Sequence, residues 1–140
     1  MLGDVYKRQV VDQAISNQIK KGWHFGIPGP GQSELAGILK EASPVTEQVV
    51  FCNSGSEATM FAFRAARAYT SKQVVALFDG SYHGIHDYAL TKADLKSDRS
   101  KPRSKVMGAG VPEVVPQELM LMLPYRDENA FDLIRQHKDS

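Results

Sequence analysis

The turn between a short apolar run and the longest helical pattern of the chain reads Phe51-Cys52-Asn53-Ser54-Gly55-Ser56-Glu57-Ala58. Residues 49–51 predict a buried strand, and residues 56–69 carry a helical apolar period. A Ser-Gly-Ser turn at a helix N-terminus leaves backbone N–H groups free and places a hydroxyl beside them. Because the helix dipole adds roughly half a positive charge there, the turn predicts an anion site, with phosphate as the usual ligand. The alternative is that the serines only cap the helix.

The rest of the chain alternates between helical and strand patterns, which predicts an α/β fold. Helices are predicted at residues 10–20, 34–42 (with Ser33 as N-cap), 56–69 and 129–137, and strands at 48–52, 73–78 and 119–123. The strand patterns are continuous apolar runs, which are typical of a mostly parallel sheet with helices on both faces. Residues 95–110 are polar and basic without an apolar period, and predict a surface excursion.

Composition favours neither nucleic acid nor a membrane as a partner. The chain has 140 residues and a formal net charge of +1, so it has no strong single-sign field. No apolar run is long enough to span a bilayer. The single cysteine, Cys52, fits a reducing, cytoplasmic location, and its place in a predicted strand indicates a packed core thiol. Residues 1–9 share no period with the helical pattern beside them and are interpreted as a non-native leader.

A second candidate site comes directly after the second predicted strand and reads Asp79-Gly80-Ser81-Tyr82-His83-Gly84. Ligands of open parallel sheets bind beyond the carboxyl ends of the strands, where both turns would lie. The Tyr82 ring could stack on an aromatic ligand, although a tyrosine that merely packs on the sheet edge is the alternative. Together, the two turns suit a ligand that is both phosphorylated and a flat ring.

This pair of turns resembles the class III pyridoxal-phosphate aminotransferases, and most closely their glutamate-1-semialdehyde aminomutase branch. The resemblance covers most of the chain after the first residues, with its two central motifs in the family's order and spacing. The matching stretches are Phe25-Gly26-Ile27-Pro28, Asn53 to Ala58, Arg64 to Thr70, Gly80 to Gly84 with Asp87, and Pro124-Tyr125-Arg126-Asp127.

The resemblance implies a fold-type I enzyme whose cofactor is pyridoxal 5′-phosphate. The N–H groups of Gly55 and Ser56 and the Ser56 hydroxyl would bind the cofactor phosphate, with Ser54 assisting. Tyr82 would stack on the pyridine ring, and His83 would lie beside it. Residues 48–140 would then form an incomplete part of the cofactor-binding large domain.

The resemblance also implies a substrate side, a partner and a missing catalytic group. Trp23, His24 and Phe25 would line the substrate side, within an N-terminal segment that spans residues 10–47. The implied enzyme is a homodimer acting on a small-molecule amino donor and acceptor. The lysine that forms an imine with the cofactor is expected beyond Ser140, so we expect a fragment without transaminase turnover of its own.

Alternatives to a class III aminotransferase remain open at this point. The aminomutase reaction is one, although residues 92–96 replace the glycine-rich gate of that branch and Trp23-His24 replace its small hydroxyl residues. A non-catalytic truncated relative is another. A nucleotide-phosphate binder would need an acidic magnesium site, for which Asp127 offers one acid. His83 and His86 lack a third ligand at a suitable spacing, so no metal site is predicted.

Overall fold

The computed structural model describes residues 8–24, 26–97 and 103–140. The chain forms two compact units, one ending at Phe51 and the other beginning at Cys52. The assignment of residues 1–9 to a leader, and of 10–47 and 48–140 to two parts of an enzyme, stays a prediction. No helix among the described residues is long and apolar enough to cross a lipid bilayer.

The N-terminal unit contains two helices, α1 (Gln9–Lys21) and α2 (Pro30–Ala42). Gly22 caps the C-terminus of helix α1, and its φ of 111° is one that side-chain-bearing residues rarely adopt. The prediction of Ser33 as the N-cap of the second helix was wrong, because that helix begins one turn earlier. Pro30 takes its first position, where the fixed φ of proline suits a helix and no N–H is needed.

The predicted strand at residues 48–52 is not formed. These residues belong to no helix or strand, and no described residue pairs with them in a ladder. Val50 is 78% exposed and Phe51 is 39% exposed. An apolar run indicates that a segment can be buried in a sheet, but the strand also needs a hydrogen-bonding neighbour. The prediction of Cys52 as a core thiol was wrong for the same reason, since its side chain is exposed.

The C-terminal unit is built on a parallel pair of strands, β1 (Val75–Phe78) and β4 (Met120–Leu123), in register from Val75 with Met120 to Phe78 with Leu123. Helix α3 (Gly55–Thr70) precedes β1, and helix α4 (Asn129–Gln136) comes after β4. The predicted α/β class and parallel sheet are therefore confirmed.

Alternate side chains of β4 pack on opposite faces of the parallel pair. Met120 and Met122 belong to one core cluster with Phe63 of α3 and Leu77 of β1. The other face belongs to a second cluster, formed by Leu121, Leu123, Ala130 and Leu133. All four residues of β4 are buried, as expected for a strand covered by helices on both faces.

A short antiparallel pair, β2 (Thr91–Ala93) and β3 (Ser104–Val106), packs beside this core. The prediction of residues 95–110 as a surface excursion was therefore wrong for β3, while residues 98–102 lie outside the described residues. Three-residue strands carry too few apolar positions to show a period. A hydrogen bond from Ser104 Oγ to the Met120 carbonyl, 3.1 Å, links the pair to the chain at β4.

Candidate functional site

Helix α3 begins with a capping box. The Glu57 N–H donates to Ser54 Oγ at 3.2 Å, and the Glu57 carboxylate accepts from the N–H groups of Asn53 (2.7 Å) and Ser54 (3.1 Å). The sequence Ser-x-x-Glu is the usual signature of this arrangement. The capping interpretation of the turn is thus correct for Ser54, whose hydroxyl is engaged by the helix itself.

Capping leaves two amides of the turn available to a ligand. The N–H groups of Gly55 and Ser56 have no acceptor among the described residues, while the Ala58 N–H already bonds the Ser54 carbonyl. These two amides lie in the first turn of a 16-residue helix, where the positive end of the dipole is located. The Glu57 carboxylate adds a negative charge at the same end, which opposes the positive end of the dipole.

The loop after β1 docks on the same turn of α3. The Ile85 N–H donates to Ser56 Oγ at 3.1 Å. Because that hydroxyl accepts this bond, its own proton remains available, and none of the described residues accepts it. Gly84 lies so close that an added Cβ would be 2.8 Å from Ser56 Oγ and 2.9 Å from Ser56 Cα. Only glycine therefore permits this approach.

Tyr82 and His83 stand in the docked loop. Tyr82 is 76% exposed, so it does not pack into the sheet edge, and most of its side chain is accessible to a ligand. His83 is half-buried, and its Nε2 lies 3.4 Å from the Phe78 carbonyl. Asp79, at the start of the loop, accepts the Ala93 N–H at 2.9 Å and so links the loop to β2.

His86 is the half-buried anchor of the loop. Its Nε2 is 3.1 Å from Thr59 Oγ1, and its ring meets Phe63 edge-on with centroids 5.3 Å apart. Its Nδ1 is buried without a hydrogen-bond partner among the described residues. Burial lowers the pKa of His86 below its ordinary value of 6.5, and the neighbouring Asp87 opposes this in part.

We expect the unfolding free energy of the chain to depend on the protonation of His86. The native state favours the neutral ring, so this contribution is complete well above pH 6.5, declines as the pH falls below 6.5, and levels off below the lowered native pKa. Urea denaturation between pH 5 and pH 8 measures it. His86→Gln should remove this part of the pH dependence, whereas His137→Gln, at an exposed position, should retain it. Equal profiles for the wild type and His86→Gln would contradict the assignment.

The proposed substrate-side residues belong to the N-terminal unit. Trp23 is 79% exposed, and its ring centroid is 6.4 Å from that of His24. Both line an open groove formed by residues of the α1–α2 connection. Phe25 lies outside the described residues. The role of all three stays a prediction.

Two residues of the stretches that resemble the family have structural partners. Arg67 donates to the Gln73 carbonyl at 2.7 Å, and its guanidinium lies 4.2 Å from the centre of the Tyr88 ring. Asp127 accepts the Asn129 N–H at 3.0 Å at the start of α4. The one acid that a nucleotide-binding alternative could use is thus engaged in the backbone of a helix start. Among the described residues, no group of three or more candidate ligands could bind a metal ion.

Sequence reasoning missed Thr59 and considered His86 only as a metal ligand. Thr59 stands three residues after Ser56 on the same side of α3, so a polar residue there was the available signal. Its partners in the loop are 24 and 27 residues away in sequence and could not be inferred from local spacing.

Comparison with known proteins identifies relatives of this chain. The family model of class III aminotransferases matches residues 5–139. The glutamate-1-semialdehyde 2,1-aminomutase of Methanothermobacter thermautotrophicus is 47% identical over 92 residues, covering 66% of this chain and 21% of the relative. The enzyme of the same name from Ignicoccus hospitalis is 39% identical over 135 residues, or 96% of this chain and 30% of the relative.

Solved structures give the same result for the fold. An omega-transaminase from Sphaerobacter thermophilus superposes with a TM-score of 0.78 at 36% identity, covering 92% of this chain and 30% of that one. A structure described as a transaminase with PLP bound gives a TM-score of 0.81 at 32% identity, covering 94% and 30%. The chain thus spans less than a third of the length of these relatives.

Proposed function

The chain belongs to the class III aminotransferase family, and we therefore propose that its C-terminal unit binds pyridoxal 5′-phosphate in an amino-transferring enzyme. The amino group would pass between a small amino compound and a keto acid or aldehyde. One observation carries the proposal: two amides and one hydroxyl proton without an acceptor among the described residues lie at the start of α3, and Ser56 there bonds the loop that contains Tyr82.

The residues of the turn fit the phosphate of this cofactor. Gly55 and Ser56 would each donate a backbone N–H, and Ser56 would add its hydroxyl proton, since Ile85 already occupies the acceptor side of that oxygen. Hydrogen bonds to a charged acceptor are the stronger kind. The Ser54 hydroxyl is engaged as the helix cap, so any contribution from Ser54 would be secondary.

The loop after β1 would hold the pyridine ring of the cofactor. Tyr82 offers an exposed aromatic face, and His83 would shape the adjacent wall. When bound, the cofactor supplies an electron-poor ring that stabilises negative charge at the substrate Cα. The contribution of the described residues is to bind the phosphate and to orient the ring plane. Trp23 and His24, with Phe25, would lie on the substrate side.

The aminomutase reaction is the second candidate. The names of the curated relatives, at 39–47% identity, favour it. Against it stand Trp23-His24 and residues 92–96, which depart from the residues typical of that branch. A non-catalytic relative is the third possibility, and cofactor binding separates it from the other two. We further propose a cytoplasmic homodimer as the working form.

Substituting Ser56 tests the phosphate site. We expect Ser56→Ala to weaken pyridoxal 5′-phosphate binding by about tenfold, because one charge-assisted hydrogen bond is lost and the Ile85 N–H loses its acceptor. Isothermal titration calorimetry measures the dissociation constant directly. Ser81→Ala is the matched control, since Ser81 is exposed and its side chain makes no hydrogen bond among the described residues.

The choice of titrant separates the alternatives. Pyridoxal without its phosphate should bind far more weakly than pyridoxal 5′-phosphate if the turn is a phosphate site. Equal affinities for the two compounds would argue against the site at α3. Absence of binding by the wild-type chain would overturn the proposed function in favour of the non-catalytic alternative.

A further inference from the structure

Thr59 occupies an unusually crowded polar position in α3. Its Oγ1 lies 2.7 Å from the His83 carbonyl and 3.1 Å from His86 Nε2. It is also 3.1 Å from the carbonyls of Gly55 and Ser56 in the preceding turn of its own helix. One hydroxyl thus reaches both the first turn of α3 and two points of the loop that carries Tyr82.

Counting protons assigns the direction of these bonds. A threonine hydroxyl has one proton, and three of its four neighbours are carbonyl oxygens that can only accept. The shortest contact, to the His83 carbonyl, takes that proton. His86 Nε2 must therefore donate to Thr59 Oγ1, which makes His86 the neutral Nε2–H tautomer. The buried Nδ1 agrees with this, because it has no partner that could accept a proton from it among the described residues.

We propose that Thr59 and His86 are positioning residues, which hold the loop of Tyr82 and His83 against helix α3 and so fix the Tyr82 ring relative to the phosphate-binding amides. The proposal rests on the proposed function, because it assumes that the two amides and the ring bind one ligand. Neither residue need touch that ligand. Their effect passes through the His83 carbonyl and the His86 ring, on either side of the Gly84–Ser56 contact.

This arrangement predicts a selective effect on ligand binding. The amides of Gly55 and Ser56 belong to the helix and remain in place when the loop loosens. Inorganic phosphate, which needs only the helix end, should therefore be insensitive to the loss of the Thr59 hydroxyl. Pyridoxal 5′-phosphate also needs the ring of Tyr82, so its binding should be sensitive. A general loss of folding would lower both affinities together.

Three threonine variants of the whole chain test the proposal. Thr59→Val keeps the shape of the side chain and removes the hydroxyl, and Thr59→Ser restores the hydroxyl. Thr70→Val is the matched control in the same helix, since the Thr70 hydroxyl also bonds a carbonyl one turn back, at 2.8 Å, but its hydrogen bonds among the described residues are to Ala66 and Lys72 alone. Calorimetry measures pyridoxal 5′-phosphate binding, and shifts of the Gly55 and Ser56 amide resonances measure inorganic phosphate binding.

We expect Thr59→Val to weaken pyridoxal 5′-phosphate binding by about tenfold, the value of one or two lost hydrogen bonds, and inorganic phosphate binding by about twofold at most. Thr59→Ser should regain most of the lost affinity, and Thr70→Val should match the wild type. In the wild type, the nitrogen shifts of His86 should show Nε2 protonated and Nδ1 unprotonated. Amide exchange at Ile85 should be faster in Thr59→Val.

Two groups of results would overturn the proposal. One is equal weakening of both ligands by Thr59→Val, or no weakening of either, in a wild-type background that binds pyridoxal 5′-phosphate. The other is a His86 tautomer protonated at Nδ1, or unchanged Ile85 exchange in Thr59→Val. If the wild type does not bind pyridoxal 5′-phosphate, the proposed function fails, and the tautomer and exchange measurements alone still decide whether Thr59 and His86 hold the loop.

Discussion

Gly84→Ala is expected to weaken pyridoxal 5′-phosphate binding by about 30-fold or more. The new Cβ would lie 2.8 Å from Ser56 Oγ and 2.9 Å from Ser56 Cα, and the second of these is backbone that cannot rotate away. The φ of Gly84 is also +111°, which side-chain-bearing residues rarely adopt. Overpacking and backbone strain of this kind each cost about 1–3 kcal/mol. Because undocking the loop relieves both, the loss should appear in ligand affinity more than in global unfolding.

Gly80→Ala separates the two causes. Gly80 stands in the same loop with a φ of +79°, but a Cβ there would meet no heavy atom within 4 Å. The variant therefore carries backbone strain of about 1–2 kcal/mol without the collision. We expect its affinity for pyridoxal 5′-phosphate to exceed that of Gly84→Ala by about fivefold or more, measured by calorimetry on both. Equal affinities would mean that strain alone matters and that contact with Ser56 does not.

Leu133→Ala should cause the largest loss of stability among these substitutions, about 2–5 kcal/mol. Leu133 is 3% exposed and packs from α4 on Leu121 and Leu123 of β4. The cavity would lie between the helix and the sheet, where backbone on both sides limits collapse. Urea denaturation followed by far-ultraviolet circular dichroism measures the loss.

Ile134→Ala is the matched control for Leu133→Ala. Ile134 neighbours Leu133 on α4 but is 46% exposed. Its truncation therefore removes less buried apolar surface than truncation of Leu133, and it leaves no enclosed cavity. We expect a loss of about 1 kcal/mol or less. Tryptophan fluorescence is unsuitable for this comparison, because the single tryptophan, Trp23, belongs to the other unit. Similar losses for the two variants would show that α4 does not pack as described.

The sequence predicted most elements whose signals are local. The helical apolar period placed α3 within one residue at each end, and the apolar run at residues 119–123 became β4. The strand at 48–52 failed because pairing depends on a neighbour that an apolar run does not identify. Strand β3 was missed for the opposite reason, since it is a polar segment that forms a strand by pairing with β2.

The candidate site shows the same difference between features with a local sequence signal and features that depend on long-range contacts. The candidate residues Gly55 and Ser56 were visible in the sequence because the turn and the helix start carry the signal. The docking contacts were not, since Ile85 meets Ser56 from 29 residues away. The positive φ of Gly84 and its approach to Ser56 likewise depend on where the loop comes to rest. Only the three-dimensional structure relates the loop to the helix.

The spacing of these contacts has a consequence for the order in which the chain folds. The bonds that join Thr59 and Ser56 to the loop close segments of 24 to 29 residues. Pairing β1 with β4 closes a longer segment, which contains β2 and β3. Loop-closure entropy grows with the length enclosed, and contacts between nearer residues form sooner. Helix α3 and the loop can therefore associate before the parallel sheet closes, so the turn at the start of α3 would be an early structure of the folding pathway.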